Sequence, residues 1–554
     1  MDHRASPIPP RAAPDDLGNL RDRNRTCDVL VVGAGPAGLV TATGLAHHGV
    51  RTLVVDRHPG TSPFPKATGV STRTMEIIRG WGLEPRVRAG ATPALAGIAV
   101  TTALTAPPLV VRPFGYPDEP TARALSPTTP VACPQDHVEP VLAAHLAEHG
   151  VRVRFGTEAT ALAADPDGAT AWLRDLATGT TWTVRARYVV GADGPRSSVR
   201  AAAGIDVEEL GGLGDYVAVM FRAPIADVPP QRWAGYAIES PERSALLIPA
   251  GRDGRWIYAR PRDGDVSATP DRRWAAEIRA AVGIADLRPE VLAVFAFAEV
   301  ATVATRLRAG NVFVVGDAAH RTTPVGGIGM NTAIQAAHNL GWKLAWVVRG
   351  HAGDALLDSY EAERRPAGPE AAWRSLHPEI FEDFDGLAAE LGLRYRSDVI
   401  AGVDPGADAP GTRGQGDGGP DADDGISGRR APHRWLRPGL SSLDLFDRRL
   451  TLLTGADGGR WRAAARDAAA GVPLAVVALG ADVPDPHGRY ARDLGIAGDG
   501  AVLVRPDGHV SWRVTATPSD PGAHRGRAGA ITLGHAPGRA GDAARAAHAH
   551  ASAH

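Results

Sequence analysis

The chain has 554 residues, and 60 basic against 62 acidic side chains give a formal net charge of −2. This length predicts two to four domains, and the near-neutral charge excludes a basic surface for nucleic acid or an anionic membrane. Cys27 and Cys133 form no CxxC pair, so we expect neither a disulfide redox centre nor a metal site. The absence of an apolar run of about eighteen residues predicts no membrane-spanning helix.

The N-terminal 26 residues are rich in Pro, Arg and Asp and lack the apolar segment of a signal peptide. We expect residues 1–26 to form a disordered extension and the protein to be cytoplasmic. The ordered part is expected to begin at Cys27, where a short apolar run predicts a buried parallel strand. A glycine-rich turn, a helix over 39–48 and a strand over 51–55 complete a βαβ unit.

The turn inside this unit carries the first motif. It has the GxGxxG spacing of a dinucleotide-binding loop, in which the glycines allow a tight turn, approach of a pyrophosphate and close helix packing. Asp56 ends the next strand, where its carboxylate can accept from ribose hydroxyls. The residues assigned to this site are Gly33, Gly35, Pro36, Ala37, Gly38 and Asp56, with Arg57 beside them.

Two further motifs follow buried strands. Gly191-Ala192-Asp193-Gly194 is the second, although on its own an Asp-Gly after a strand is more often a plain turn. The third begins at Gly316-Asp317 and ends at a helix, whose N-terminus can stabilise negative charge. Its ligand candidates are Gly316, Asp317, Gly327, Gly329, Met330 and Asn331.

In this order, the three motifs resemble the FAD-dependent aromatic hydroxylases with the p-hydroxybenzoate hydroxylase fold, over residues 27–375. The resemblance implies that the second motif, with Asp193 assigned to the cofactor site, contacts both FAD and NAD(P)H. It implies that the third motif contacts the ribityl chain, that Lys66 faces the cofactor and that Gln135 contacts the sugar side of the flavin. It also implies an α/β fold, in which residues 27–400 form a Rossmann-like FAD-binding domain. Strand-like stretches at about 95–125 and 206–300 would form an inserted antiparallel sheet that binds substrate.

The C-terminal part resembles the thioredoxin-like domain of phenol hydroxylases, polyketide-tailoring hydroxylases and rifampicin monooxygenase. A Gly-, Asp- and Pro-rich linker is expected over 401–428, the domain over 429–525, and a disordered tail over 526–554. No CxxC is present in the domain, so a structural or dimerisation role is expected, with the chain a monomer or homodimer.

The resemblance implies a flavin C4a-hydroperoxide, formed from NAD(P)H and O2, that hydroxylates an aromatic molecule, with a polycyclic phenol of polyketide type favoured. No catalytic side chain or metal is assigned, and a structural role for His320 is favoured over base catalysis. The choice between NADPH and NADH stays open. Candidate substrate-lining residues, for each of which core packing is an equal alternative, are Met220, Phe221, Arg222, Trp233, Tyr236, Phe295, Phe297 and Pro324.

Two other outcomes are compatible with the same motifs. A relative with this fold could instead insert oxygen beside a ketone, as in a Baeyer–Villiger reaction, or inactivate an antibiotic by hydroxylation. A flavoprotein without turnover is the alternative from a different class. The intact Gly35, Asp193 and Asp317 argue against that last alternative.

Overall fold

The computed structural model describes residues 24–239, 244–266, 269–377, 379, 386–401, 425–467 and 471–534. The predicted extension therefore lies outside the described residues up to residue 23, and β1 (Asn24–Val32) begins three residues earlier than predicted. Most of the predicted linker, residues 402–424, also lies outside them. None of the described helices is long and apolar enough to cross a membrane.

An N-terminal domain (residues 24–401) begins with a βαβ unit. The next elements in chain order are α1 (Pro36–His47), β2 (Thr52–Val55), β3 (Gly69–Val70), α2 (Thr72–Gly80), α3 (Glu84–Ala89), β4 (Leu95–Thr101), β5 (Val110–Arg112), α4 (Glu119–Leu125), β6 (Val131–Ala132), α5 (Gln135–Glu148), β7 (Val153–Arg154), β8 (Thr157–Asp165), β9 (Gly168–Asp175), β10 (Thr181–Gly191) and α6 (Ser198–Ala202).

Long antiparallel strands then alternate with the remaining helices of this domain. They are β11 (Val207–Arg222), β12 (Trp233–Glu239), β13 (Ser244–Pro249), β14 (Arg255–Pro261), α7 (Asp271–Val282), β15 (Glu290–Ala304), β16 (Arg308–Ala309), β17 (Val312–Val314), β18 (His320–Arg321), α8 (Gly329–Val348), α9 (Ala355–Arg364), α10 (Ala367–Leu376) and α11 (Gly386–Leu391).

These strands form two eight-stranded sheets. The N-terminal sheet has the order β16-β17-β10-β1-β2-β7, with the β8–β9 hairpin added beside β10. Its central strands are parallel and almost completely buried, because α1 and α8 cover one face while the β8–β9 hairpin and α6 cover the other. The sequence did not predict the β8–β9 hairpin. The fold class of a Rossmann-like domain with a second sheet inserted is confirmed.

The inserted sheet has the order β18-β15-β11-β14-β13-β12-β4-β5. All of its pairs are antiparallel except β12 with β4, which run parallel, so the predicted purely antiparallel sheet is corrected at this pair. One face packs on α7, whose Trp274 and Ile278 are fully buried. We call the face of the sheet that packs on α7 the helix face, and the opposite face of the sheet the open face.

The two faces decide which predicted substrate-lining residues can reach a ligand. Phe221 and Tyr236 are buried in the cluster formed with α7, and Trp233 packs against the same cluster. These three predictions were wrong, because packing against the α7 cluster places the side chains on the helix face. Arg222 lies at an exposed strand end and pairs with Glu290 at 2.9 Å, so it too is removed from the substrate-lining set.

The C-terminal domain (residues 425–534) is a smaller α/β unit. Its elements are β19 (Trp435–Arg437), β20 (Leu440–Ser441), β21 (Leu450–Thr454), α12 (Gly459–Asp467), β22 (Leu474–Ala478), α13 (Arg489–Asp493), β23 (Ala501–Val504), β24 (Val510–Val514) and α14 (Pro521–Thr532).

The C-terminal sheet has the order β22-β21-β23-β24, with only the first of these pairs parallel. This is the thioredoxin-like arrangement that was expected. The predicted boundary at 525 was wrong, because α14 crosses it and continues to Thr532. Leu533 is buried after it, so tertiary packing orders a segment that composition alone marked as a tail.

Candidate active site

Four neighbouring parallel strands of the N-terminal sheet end side by side. Val32 at the end of β1 pairs with Val55 of β2 and with Gly191 of β10, and Gly191 pairs with Val314 of β17. Ligands of open parallel sheets bind outside the carboxyl ends of the strands. The three sequence motifs and Asp56 therefore meet at one edge of the sheet, which we call the cofactor edge.

Backbone packing requires glycine at two positions of the first motif. Gly33 has a φ of +106°, and a Cβ added there would lie 2.2 Å from the Ala192 carbonyl oxygen. A Cβ on Gly38 would lie 1.9 Å from the carbonyl oxygen of Gly33. By contrast, a Cβ on Gly35 would meet no heavy atom within 4 Å. The middle of the loop therefore faces open space, as approach of a pyrophosphate requires.

Helix α1 begins directly behind this open space. Gly35 is its N-cap, Pro36 its first residue, and no acidic side chain lies in its first turn. The first N–H groups of a helix lack partners within the helix and carry partial positive charge, which favours bound phosphate. Pro36 has no N–H, so Ala37 and Gly38 supply donors. A Cβ on Gly316 would lie 2.8 Å from that of Ala37, which places the third motif against this turn.

Asp56 lies beside the same loop. Its Oδ2 accepts from the backbone N–H of Ala34 at 2.7 Å, and its Oδ1 accepts from the backbone N–H of His58 at 2.8 Å. The carboxylate is thus fixed at the end of β2, next to the open space in front of Gly35. Arg57 is exposed beside it.

The second motif has a structural role in addition to its position at the edge. Asp193 Oδ2 accepts from the backbone N–H groups of Ser198 at 2.8 Å and Val199 at 3.2 Å, so the carboxylate caps the start of α6. Arg200 donates to the Ala318 carbonyl oxygen at 3.0 Å, which ties the second motif to the third. The interpretation of this motif as a plain turn therefore accounts for Asp193, because its carboxylate accepts hydrogen bonds within its own loop.

The side chain of Asp317 in the third motif is exposed to solvent. Many protein atoms nevertheless lie around its carboxyl group. Burial raises the pKa of this carboxyl, while the positive charges of Arg321 and Lys66 act to lower it. Lys66 is exposed and lies close enough to influence the third motif across the edge. The structure thus places a carboxylate and two cations around the same space.

Gln135 is the first residue of α5 and is nearly buried. Its backbone N–H donates to the Ala67 carbonyl oxygen at 2.8 Å, and its Nε2 donates to Glu139 at 2.6 Å. Glu139 also accepts from the backbone N–H of Ser62 at 2.7 Å. Gln135 and Glu139 therefore hold the segment that carries Lys66 against α5.

The loop of the third motif turns sharply before α8. Gly327 has a φ of +62°, and Gly329 and Met330 are the first residues of the helix. Pro324 is exposed and starts the turn over Val325–Gly327. The predicted loop and helix N-terminus are thus present, with the loop backbone at the surface of the cofactor edge.

Asn331 links this loop to the segment after Lys66. Its Nδ2 donates to the carbonyl oxygens of Gly327 at 2.9 Å and Gly69 at 3.1 Å, and its Oδ1 accepts from the backbone N–H of Ser71 at 2.9 Å. The side chain is 4% exposed. It acts as a clamp that holds two backbone segments at a fixed separation beside the site.

Sequence reasoning missed Tyr116, which joins the inserted region to the third motif. Its Oη donates to the Gly327 carbonyl oxygen at 2.7 Å and accepts from Asn331 Nδ2 at 3.0 Å. Phe114 contacts the same ring edge to face, with centroids 5.7 Å apart. No local pattern marks this contact, because Tyr116 and Gly327 are 211 residues apart in the chain.

A row of aromatic side chains lies on the open face of the inserted sheet. Tyr216 and Phe297 stack with centroids 6.1 Å apart, and Phe297 lies 6.4 Å from Phe295. Phe295 in turn lies 5.6 Å from Phe64, two residues before Lys66. Strand alternation puts Met220 on this same face. Of the predicted lining residues, Met220, Phe295 and Phe297 thus lie on the open face, and Phe295 contacts the segment that carries Lys66.

Glu299 continues this row and was also missed. It follows Phe297 by two residues on β15, so both side chains lie on one face of the strand. Glu299 is 7% exposed, and burial raises the pKa of its carboxyl to about 7. The period of two that drew attention to Phe295 and Phe297 could have identified it.

His320 lies behind the third motif and is buried. Burial, with the positive charge of Arg364, lowers the pKa of His320 to about 4. A Cβ on Gly368 of α10 would lie 3.3 Å from that of His320, so the ring is packed against helix α10. This environment supports the structural role that was favoured.

The arrangement fits FAD on the chain's own geometry. The open space at Gly35, the N-terminus of α1 and the Asp56 carboxylate suit a dinucleotide. The carboxylate of Asp317 and the backbone loop over Gly327 lie at the same edge, as a sugar-like chain and a flat ring require. These features are consistent with each other because the strand register brings them together.

Comparison with known proteins agrees with this geometry. The family described as FAD binding domain matches residues 26–375, and the family described as aromatic-ring hydroxylase, C-terminal, matches residues 424–534. The chain is 37% identical over 539 residues to tetracenomycin A2 monooxygenase-dioxygenase of Streptomyces glaucescens, covering 89% of this chain and 94% of the relative. It is 39% identical over 464 residues to aklavinone 12-hydroxylase DnrF of Streptomyces peucetius, covering 78% and 92%.

Two solved structures are similar over nearly the whole chain. A ternary complex of aklavinone-11 hydroxylase with FAD and aklavinone superimposes with a TM-score of 0.81 at 33% identity, covering 92% of this chain and 99% of the other. The flavin-dependent monooxygenase PieE, in complex with FAD and substrate, gives a TM-score of 0.79 at 32% identity, covering 92% and 98%.

Proposed function

The chain belongs to the FAD-dependent aromatic-ring hydroxylases, and we propose that it hydroxylates a polycyclic phenol of polyketide type with NAD(P)H and O2. The observation that carries the substrate class is the aromatic row Tyr216–Phe297–Phe295, which reaches Phe64 beside the cofactor edge. Relatives that act on tetracenomycins and aklavinone support the same class.

The cofactor would be held by the residues at the cofactor edge. Backbone N–H groups at Ala37 and Gly38 would bind phosphate, Asp56 a ribose hydroxyl, and Asp317 the ribityl chain. Lys66 would supply positive charge beside the bound cofactor, which favours a negatively charged reduced form. Bound FAD supplies the electron-transfer and oxygen chemistry.

The row of rings can bind a flat substrate by stacking. Aromatic pairs favour offset or edge-to-face contacts with centroids about 4.5–7 Å apart, and successive rings in this row meet that range at 6.1, 6.4 and 5.6 Å. The row is several rings long, so a polycyclic ligand buries more apolar surface there than a single ring does. It also excludes water from the reacting carbon.

Glu299 would act on the phenol. A carboxyl whose pKa is about 7 is close to the optimum for a general base near neutral pH. As the carboxylate, it would accept the phenolic proton at a carboxylate oxygen and leave an electron-rich ring. Below the pKa it is protonated and cannot do so. The role assigned to this carboxyl is therefore to hold a proton while oxygen is transferred.

The test uses the purified full-length chain. We expect bound FAD, oxidation of NADPH or NADH that accelerates with aklavinone, and a hydroxylated product that takes its oxygen from labelled O2. Label from water alone, or a lactone product, would refute hydroxylation. A colourless protein that cannot be reconstituted with FAD would refute the cofactor assignment.

The substrate class is tested separately with matched variants. Phe297→Leu should raise the KM for aklavinone about tenfold, which is the effect expected for the loss of about 1.4 kcal/mol of stacking and burial, while p-hydroxybenzoate remains a poor substrate. Trp172→Leu removes an exposed ring from the β8–β9 hairpin. It should leave both the KM for aklavinone and the poor turnover of p-hydroxybenzoate unchanged. Equal KM values for Phe297→Leu and the wild type would exclude this face as the substrate site.

A further inference from the structure

Three histidines meet at the end of the N-terminal domain that lies away from the cofactor edge. His47 is the last residue of α1, His145 lies in the last turn of α5, and His149 is the C-cap of α5. One possible ligand atom of each lies within 4.8 Å of the others, and the Nε2 atoms of His47 and His145 are 3.0 Å apart. No metal site was predicted from the sequence, and the packing of α1 on α5 brings three possible ligands together.

The second nitrogen of two of these rings already has an acceptor. His149 Nδ1 lies 3.0 Å from the carbonyl oxygen of His145, and His145 Nδ1 lies 3.5 Å from a carboxylate oxygen of Glu148. An acceptor at Nδ1 places the proton there and leaves the lone pair on Nε2. Carbonyl and carboxylate acceptors behind ligating imidazoles are the usual outer partners of metal-bound histidine.

The separations are close to those of a metal centre. With Zn–N distances of about 2.0–2.1 Å, the ligand nitrogens of a tetrahedral ion lie about 3.3–3.4 Å apart. The 3.0 Å pair is slightly tighter than this, and all three ligand atoms lie within 4.8 Å of one another. His145 and His149 are four residues apart on α5, so they share one helix face.

We propose that His47, His145 and His149 form a binding site for one divalent transition-metal ion that prefers imidazole ligands, such as Zn2+. His149 is exposed, His47 half-buried and His145 buried, so the site opens toward solvent on one side. Water would take the fourth position, or Glu148 after a change of rotamer. Arg448 adds positive charge near His47, against which the ion must bind.

The position of the site indicates a structural ion. Helix α1 has 12 residues, so at about 1.5 Å per residue the cluster lies about 18 Å from the glycine loop. Helices α1 and α5 both begin beside the cofactor edge, at Gly35 and Gln135, and an ion at their other ends would fix them to each other. The ion would therefore raise stability without taking part in the oxygen chemistry.

The experiment measures metal binding by the FAD-loaded full-length chain, prepared without a histidine tag and treated with chelator. Equilibrium dialysis against Zn2+ is followed by metal analysis, and Co2+ is used in parallel because its visible spectrum reports nitrogen coordination. We expect His149→Gln and His145→Gln each to bind one Zn2+ fewer per chain than the wild type. His48→Gln, one residue from the cluster, should bind as the wild type does.

Thermal unfolding gives a second readout, because a ligand that binds only the folded state raises the apparent Tm. Zn2+ should raise the Tm of the wild type and of His48→Gln but not of His149→Gln, while FAD content stays equal in all three. His149 is exposed, so its substitution should not prevent folding. Equal Zn2+ stoichiometry in His149→Gln and the wild type, or no Zn2+ bound by the wild type, would overturn the proposal.

Discussion

Glu363 is the centre of a buried network that joins the two domains. Its Oε1 accepts from Arg505 at 2.6 Å, and its Oε2 accepts from Arg505 at 2.8 Å and from Lys343 at 2.7 Å. The side chains of all three residues are 0% exposed. Arg505 lies in the C-terminal domain, and the other two residues lie in the N-terminal domain. Replacing Glu363 by Gln should therefore lower the free energy of unfolding of the two-domain chain.

The size of the effect can be worked from the same charges. Burial alone would raise the pKa of Glu363, but the charges of Arg505 and Lys343 lower it from 4.5 to about 2. At about 1.4 kcal/mol per pH unit, this difference corresponds to about 3–4 kcal/mol. Breaking a buried ion pair by removing one partner costs about 3–5 kcal/mol. We expect Glu363→Gln to lose an amount of stability in this range at pH 7.

The sign of the pH dependence follows from the lowered pKa. The contribution of Glu363 is fully present above about pH 4.5, the unfolded value, and is lost as the pH falls toward about 2. The wild type should therefore approach Glu363→Gln in stability as the pH is lowered through this window. Near pH 7 the difference in free energy of unfolding between the wild type and Glu363→Gln should not change with pH.

Urea unfolding, followed by tryptophan and flavin fluorescence, measures the loss. The matched control is Glu119→Gln, which removes a surface ion pair with Arg123 whose side chains are 64% and 61% exposed. Exposed pairs of this kind contribute about 0–1 kcal/mol. If the free energy of unfolding of Glu363→Gln lies within about 1 kcal/mol of that of Glu119→Gln, the buried network does not stabilise the contact between the domains.

Three further outcomes test the active site. Gly35→Val should lose FAD affinity but keep its fold, because its Cβ enters open space. Gly38→Ala should destabilise the domain, because its Cβ would meet a carbonyl oxygen at 1.9 Å. Measurements of flavin content and of thermal unfolding distinguish the two effects. Asp317→Ala should lose most FAD binding in a flavin titration, and unchanged occupancy would contradict the assignment. In the wild type, kcat/KM should rise as the pH increases through about 7, where Glu299 ionises; Glu299→Gln should be at least tenfold slower and lack that step, and a pH profile like that of the wild type would remove Glu299 from the mechanism.

The cofactor edge could be predicted from the sequence because its parts are local. Each motif follows directly from a short apolar strand, and parallel strands next to each other bring their carboxyl ends to one edge. Knowledge that Gly33 follows β1 and that Gly316 follows β17 is therefore nearly enough to place both residues. The close approach of Gly316 to Ala37, which leaves no room for a Cβ on Gly316, is the three-dimensional result of that arrangement.

The substrate face could be predicted only in part, because a period of two identifies two faces but not which face meets the ligand. Phe221 and Phe295 both belong to alternating strands, and both were candidates. The structure separates them through α7, which buries Phe221, and through Phe64, which contacts Phe295. Neither contact has a signature in the strands themselves.

Contacts between distant residues account for what was missed. Tyr116 binds a carbonyl oxygen 211 residues away, and His47 lies beside a histidine 98 residues away. Such pairs depend on how helices and loops pack rather than on spacing in the chain. His145 and His149 on α5 are two of the three histidines of the cluster, but two histidines on one helix are not a metal site until a second element supplies a third ligand. The packing of α1 on α5 supplies His47 as that third ligand. Because His149 is the exposed member of the cluster, its substitution can test the site without disturbing this packing.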